Sequence, residues 1–285
     1  MPGQKPWHDG VAGTVGGVSG LSIWFPLDTV KCRMQTRPAE YNNSSIKCFR
    51  QMIKIEGFFS LYRGLLSPAL GFGAINSTVF GVNKFGTNFI KGKDKEYELT
   101  NVEKVGVGSF VGFCSSFVRT PIERVKTVMQ IRNQDKTKAP YKNSLICAYR
   151  LFLTEGIHKG LYEGLDTTIY REVPQYMFYF IVYDSFRKIL TPYLGDLPAQ
   201  AIAGGTAGAF SWLPPIFCID VLKTKMQSAP RGTYKNVIDC ARKSYAQEGH
   251  RVFFRGTTIA LLRAFPLHGT IFVVYEQVMG ILEGF

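Results

Sequence analysis

The polarity of the chain changes in a fixed order, and that order recurs. A Gly-rich apolar stretch runs into a motif of acid and base. A polar loop, a short amphipathic segment, a Glu-Gly turn and a second apolar stretch follow. The cycle occurs three times in 285 residues. It predicts two long helices and one short helix per cycle, hence six long helices in all. No run of 18 or more uninterrupted apolar residues occurs, so the simplest test for a membrane span fails. Helices around a watery cavity keep one polar face, however, and their mean hydropathy falls accordingly.

Self-comparison fixes the period. PLDTVKCRMQ begins at Pro26, PIERVKTVMQ at Pro121 and CIDVLKTKMQ at Cys218, and their acids, Asp28, Glu123 and Asp220, are 95 and 97 residues apart. The Glu-Gly turns start at Glu56, Glu155 and Glu248, with spacings of 99 and 93. Cys48, Cys147 and Cys240 each stand eight residues before those glutamates, and Tyr41, Tyr141 and Tyr234 precede the cysteines by seven, six and six. Agreement at so many offsets excludes chance and divides the chain into repeats at 1–96, 97–195 and 196–285. Glycines four apart recur in the first apolar stretch of each repeat (Gly13 and Gly17, Gly16 and Gly20; Gly108 and Gly112; Gly204 and Gly208). Such pairs let helix backbones approach closely in a membrane. The expected class is an all-α membrane protein of six transmembrane helices.

Composition narrows the chemistry. Mean hydropathy is +0.01, and 34 lysines and arginines against 21 acids give a net charge of +13. An excess of that size suits nucleic acid, anionic lipid or anionic solutes. The bases spread along the chain without zinc spacing or an RNA-binding module, which removes nucleic acid as a partner. The six cysteines contain no CxxC pair and do not form a disulfide scaffold. The opening MPGQKPWHDG reads neither as a secretory leader nor as a transit peptide. Four histidines stand in no metal or triad spacing and no GxxxxGK[ST] loop occurs, so neither an enzyme, a metal nor a cofactor is implied.

In each PxDxxK segment acid and base lie three apart, on one helix face. They form either a local surface pair or, by repetition, a ring between three helices. Pro26 and Pro121 remove a backbone hydrogen bond and bend their helices. The three motifs, each followed by a Glu-Gly turn, resemble the signature of the mitochondrial carrier family over essentially the whole chain. The resemblance implies a central cavity, short helices on the matrix side, and a multi-pass place in the mitochondrial inner membrane. It implies a matrix gate in which Asp28 pairs with Lys126, Glu123 with Lys223 and Asp220 with Lys31, braced by Gln35, Gln130 and Gln227. It also implies a monomer that binds membrane lipid, cardiolipin above all. There are departures: Cys218 replaces the third proline, Val128 an outer base, and Glu163 another base.

Carriers have a second gate, aromatic-acid-x-x-base, on the cytoplasmic side. Tyr183, Asp184 and Arg187 match it; Tyr275 and Glu276 match in part, with Met279 in the base's place. Lys84 and Thr87 stand where the first repeat would have acid and base. The family's pairing order gives Lys84 with Arg187, Asp184 with Met279 and Glu276 with Thr87, a weak closure that biases the protein toward the cytoplasm-open state.

Counting back nine residues from Phe180 and Phe272 reaches Arg171 and Arg263, each with a proline three residues on. The resemblance makes Arg171 with Glu172 the second substrate contact and Arg263 the third, with Gly71, Phe72, Ile75 and Asn76 as the first. Neighbours on a helix point about 100° apart, so Arg171 and Glu172 are not expected to neutralise each other side by side. Arginine forks onto a carboxylate while Glu172 accepts an ammonium or faces a quaternary nitrogen. This suits an amino-acid-like or carnitine-like zwitterion or cation as the small-molecule substrate, moved by alternating access. Trp212 and Tyr176 are candidates for cation–π contacts or for packing. The alternatives are a carrier of small organic or inorganic anions, a carrier-like scaffold that no longer transports, or a Glu172 that merely pairs with Arg263.

Overall fold

A computed structural model describes residues 6–92, 94, 96–132, 141–210, 212, 214–230 and 232–283. Every described element is helical: α1 (Pro6–Thr36), α2 (Ser45–Gln51), α3 (Leu66–Lys91), α4 (Asn101–Arg132), α5 (Ser144–Gly156), α6 (Leu165–Leu194), α7 (Asp196–Phe210), α8 (Pro214–Ser228), α9 (Val237–Glu248) and α10 (Thr257–Glu283). The order long, short, long holds in each repeat, with the first long helix of the third divided into α7 and α8. The place of the prolines in the third repeat, Pro214 and Pro215 in front of Cys218, goes with the division. Pro26 and Pro121 lie inside continuous helices, whereas α8 starts on Pro214 and the two halves meet at 68°. A proline is favoured in the first turn of a helix, where its missing N–H costs nothing.

Side-chain placement inverts the rule for a protein in water. Phe89 is 79% exposed and Leu262 65%, while Asp28 is 5% and Arg33 0% exposed. Large apolar side chains face outward and charge faces inward, as hydrocarbon requires. Gly10–Thr36, Phe58–Lys91 and Asn101–Arg132 are long and apolar enough to cross a membrane, and the bent pair Pro198–Phe210 with Pro215–Ser228 passes together. α6 and α10 do not meet that test as whole helices. α6 has the length, 30 residues, but carries Arg171, Glu172, Asp184, Arg187 and Lys188; the apolar part of α10 is shorter, Gly269–Leu282.

Glycine sets the closest helix contacts. A Cβ on Gly112 would come within 2.7 Å of the Glu172 carbonyl and of Val173 Cα; one on Gly108 would lie 3.0 Å from the Tyr176 carbonyl. α4 therefore rests directly on the backbone of α6. Gly16 and Gly20 do the same for α1 against α10, at Ile271 and Leu267. Of the other first-repeat pair, Gly13 meets nothing within 4 Å among the described residues and Gly17 lies against the Phe72 ring. The motif-bearing segments of α1, α4 and α8 converge on one another, while α3, α6 and α10 make at most marginal mutual contact. The bundle is closed at one end and open at the other.

The short helices repeat in detail. Ser44, Asn143 and Asn236 cap α2, α5 and α9 by accepting from the third N–H of each. Cys48, Cys147 and Cys240 are fully buried at the fourth position of each, in apolar clusters that include Tyr41, Tyr141 and Tyr234. Burial pushes the thiols of Cys48 and Cys147 up to about 12 and that of Cys240 to about 11. They are packing residues, not nucleophiles.

Candidate functional site

At the closed end the three motifs meet as a ring. Lys126 lies against Asp28, Lys223 against Glu123, and Lys31 Nζ is 2.6 Å from Asp220. Each pair joins one repeat to the next, so the contacts run full circle. Gln35 donates to Asp220 at 3.2 Å, bracing its pair. Gln130 donates instead to Thr29 Oγ1 at 3.0 Å, and Gln227 Nε2 is buried without an acceptor among the described residues. A uniform set of three braces is therefore not what the geometry shows. Glycines at positive φ let each repeat touch the next: Gly64, at φ +89°, lies against Lys126, Gly164 at +79° against Gln227, and Gly256 at +84° against Lys31.

Outside the ring, each Glu-Gly glutamate holds two bases. Glu56 takes Arg33 and Arg63, and Glu248 takes Lys225 and Arg255. Burial acts to raise the pKa of Glu56, but the hydrogen bonds and charge of Arg33, then Arg63, outweigh it and hold the carboxyl below its usual value. The second repeat lacks both equivalent bases, having Val128 and Glu163. Two arginines on α4 compensate. Arg124 Nη2 is 3.1 Å and Arg132 Nη1 3.2 Å from Glu155, and they stand four residues either side of Val128, on its helix face. Both also reach the third repeat: Arg124 donates to the Gln227 carbonyl, and Arg132 Nε to that of Ser228 at 3.2 Å. Burial pushes the pKa of Glu163 up.

Above the ring is a cavity of about 270 Å³, lined by Phe72, Ile75, Asn76, Arg171, Arg263 and Trp212 together with the ring residues. Gly71 packs on Ile122 instead. Arg263 Nε lies 3.1 Å from Asp28, so it does not serve Glu172. Arg171 forks across two ring acids, 2.8 Å from Asp220 and 3.1 Å from Glu123. It also donates from Nε to Glu172 Oε1 at 2.9 Å. The expectation that these neighbours cannot neutralise each other is wrong. Their Cβ directions diverge, but the arginine stem is long enough to fold its guanidinium back. Lys31 Nζ sits 4.3 Å above the Trp212 ring, and Tyr176 accepts from Arg119 at 3.1 Å.

Arg119 escaped the sequence reading. Its Nε is 3.1 Å from Glu172 Oε2 and its Nη1 3.7 Å from Glu123. The signal was there: a lone charge inside an apolar stretch, one turn before a ring acid. Arg124 and Arg132 were likewise legible only as bases near a gap.

At the open end charge pairs locally. Asp184 takes Lys104 at 2.7 Å, Arg187 takes Asp196 at 3.4 Å, and Lys188 takes Glu98 at 2.6 Å. None of the pairings carried over from the family pattern is formed among the described residues; α4 packs on α6 and brings Lys104 within reach of Asp184. Tyr183 stacks on Tyr179 at 6.1 Å, Tyr275 packs beside Gly16, and Glu276 has no ion pair among the described residues. A cavity of about 640 Å³ opens here beside Asn83, Thr87, Lys104, Asp184 and Arg187.

Comparison with known proteins matches this arrangement. A profile of the family described as "Mitochondrial carrier protein" covers residues 3–94, 97–194 and 195–284. The chain is 35% identical to the mitochondrial basic amino acids transporter of Homo sapiens over 97% of its length and 91% of that protein's. It is 34% identical to the mitochondrial carnitine/acylcarnitine carrier protein of Rattus norvegicus, over 98% and 95%. It is 33% identical to solute carrier family 25 member 48 of Mus musculus, over 99% and 97%.

Proposed function

Because this chain belongs to the mitochondrial carrier family, we propose that it is a secondary transporter of the mitochondrial inner membrane carrying a small carboxylate-bearing solute by alternating access. Members of such a family move solutes and are not enzymes. Six spans serve the reading: α1, α3, α4, α6, the bent pair α7–α8, and α10, in repeats at 1–96, 97–195 and 196–285. A helix whose charged face looks into a watery cavity crosses lipid at lower mean hydropathy, which accommodates α6 and α10. The protein works as a monomer, with cardiolipin as its lipid partner.

One observation supports the reading above the others: a cyclic ring of ion pairs forms the floor of a cavity from which Arg171 and Arg263 hold on to the ring acids. The ring is the matrix gate (Asp28, Lys31, Glu123, Lys126, Asp220 and Lys223, with Gln35, Gln130 and Gln227 behind). Tyr183, Asp184, Arg187, Tyr275 and Glu276 belong to the cytoplasmic gate. The substrate contacts are Arg171, Glu172, Arg263, Asn76, Ile75 and Phe72. A carboxylate entering from the open side competes with Asp220 and Asp28 for the two arginines and loosens the floor as it binds.

The relatives named for basic amino acids and for carnitine and acylcarnitine point to an amino-acid-like or carnitine-like zwitterion. A second reading, a small organic anion, is favoured by the pairing of Glu172 with Arg171 and Arg119, which offsets its negative charge. Uptake of labelled carnitine, neutral and basic amino acids and dicarboxylates into liposomes carrying the purified protein tests both. Arg171→Ala and Arg263→Ala are each expected to abolish uptake; uptake unchanged in both variants refutes the site.

A further inference from the structure

The charges of the cavity do not balance. The three ring lysines with Arg119, Arg171 and Arg263 make six bases, and the three ring acids with Glu172 make four acids, a surplus of two. Charge buried inside a membrane span is costly unless paired. A bound ligand is what can offset the remainder.

Glu172 is the one acid among the proposed substrate contacts, and both its oxygens are taken. Arg171 holds Oε1 and Arg119 Nε stands 3.1 Å from Oε2. Tyr176 fixes Arg119 from behind, its hydroxyl accepting from Nη2 at 3.1 Å. Gly112 seats the Glu172 backbone directly on α4, the helix that carries Arg119. The clamp is thus built by two helices in close contact. An ammonium group in the cavity finds no free carboxylate there, while Arg263 Nε is buried without an aligned hydrogen-bond acceptor among the described residues. The site is short of acceptors and has donors to spare.

We propose that Arg119 sets substrate charge: by covering Glu172 it makes the cavity select a carboxylate ligand of zero or negative net charge and reject a net cation. It is a positioning residue that acts through Glu172. The inference rests on the transport reading above and adds to it the exclusion of dibasic and choline-like substrates.

The test is uptake into proteoliposomes of carnitine, alanine, succinate, lysine and choline by the wild type, Arg119→Gln, Arg119→Lys and the double variant Arg119→Gln/Glu172→Gln. The wild type is expected to prefer the first three. Arg119→Gln uncovers Glu172 and raises the lysine-to-carnitine uptake ratio by about tenfold or more, as expected for a close charge pair. Arg119→Lys keeps the wild-type ratio, and the double variant loses the gain in lysine uptake. A ratio is read among folded molecules, so reduced yield does not mask it. A wild type that prefers lysine or choline overturns the inference alone, as does an unchanged ratio in Arg119→Gln. A wild type that takes up none of the five overturns the transport reading and the inference with it.

Discussion

The two ends of the bundle use charge in opposite ways. At the closed end every ring acid meets a base from the next repeat, and the pairs are nearly excluded from solvent. At the open end the partners are local: Lys104 and Asp184 belong to one repeat, and the pair Arg187–Asp196 is separated by nine residues. The closed end also keeps its ion pairing when a residue type is lost, because Arg124 and Arg132 fill the place left empty by Val128 and Glu163. At the open end Lys104 takes Asp184 within the same repeat, and among the described residues no base links one repeat to the next in place of those missing at Thr87 and Met279. Buried charge without a partner costs several kcal/mol, whereas exposed charge costs almost nothing. Compensation is enforced at one end only.

The largest effect should follow from breaking the compensation. Arg124→Val removes an arginine that is 1% exposed and takes with it bonds to Glu155 and to the Gly160 and Gln227 carbonyls. Loss of one partner from a buried network costs about 3–5 kcal/mol, and the thermal midpoint in detergent should drop by about 10 °C. Arg187→Ala at the open end should cost less than about 0.5 kcal/mol. Equal losses from the two variants would erase the contrast between the ends.

A relocated charge can be moved back. Arg124→Val with Val128→Arg gives the second motif the valine of the third at Val221 and the arginine of the first at Arg33, which reaches Glu56. The double variant should regain at least about 2 kcal/mol over Arg124→Val alone, the coupling expected of residues sharing one partner. A double variant no more stable than Arg124→Val would mean that Arg124 fits its own position and is not a substitute.

These variants also show what the sequence could reveal. The ring was legible because acid and base recur at fixed offsets on a helix, but which base each acid takes came from the family resemblance, since three copies can pair round a circle in either direction. The short helices were legible through Cys48, Cys147 and Cys240. The exceptions were not, since Val128 and Glu163 read as losses until helix geometry put Arg124 and Arg132 on the same face. Arg171 and Glu172 misled for a related reason: helix geometry constrains Cβ atoms, and a guanidinium ends several bonds beyond. Arg119 was hidden because it has no counterpart at the matching positions of the other repeats. Cys218 was legible as a departure at the third proline, but the division of α7 from α8 ahead of Pro214 was not foreseen.

Titration separates the closed end from solvent by a smaller margin. Burial raises the thiols of Cys48, Cys147 and Cys240 from 9.0 to about 12, 12 and 11. A raised pKa favours the neutral thiol, so its contribution is intact below pH 9 and is lost as pH rises toward the folded values. Each thiol then costs about 1.4 kcal/mol per pH unit. The thermal midpoint should fall across pH 9 to 11, and replacing all three cysteines by alanine should flatten the fall. Glu56 acts in the opposite direction, since its folded pKa is lowered from 4.5. Its contribution is present above that value and is lost as pH falls through the folded one. A midpoint independent of pH above 9 would show that the short helices open locally before the ring does.

The smallest effect probes the open end by giving it what it lacks. Lys84→Glu puts an acid in register with Asp184 and Glu276, with Arg187 as its expected partner. Arg187 is already engaged by Asp196 at 3.4 Å, and its side chain is 43% exposed. The new pair must therefore displace an old one in high dielectric, a gain of about 0.5–1 kcal/mol, or roughly a two- to fivefold shift toward closure of this end. With Cys32 replaced, the labelling rate of a cysteine placed at Asn76, inside the cavity, reads that shift as slower access. Asp196→Asn added to Lys84→Glu frees Arg187 and should slow labelling further. If the double variant labels no more slowly than the single one, local pairing is not what keeps Arg187 out of the gate. The open state would then be set by the ring below.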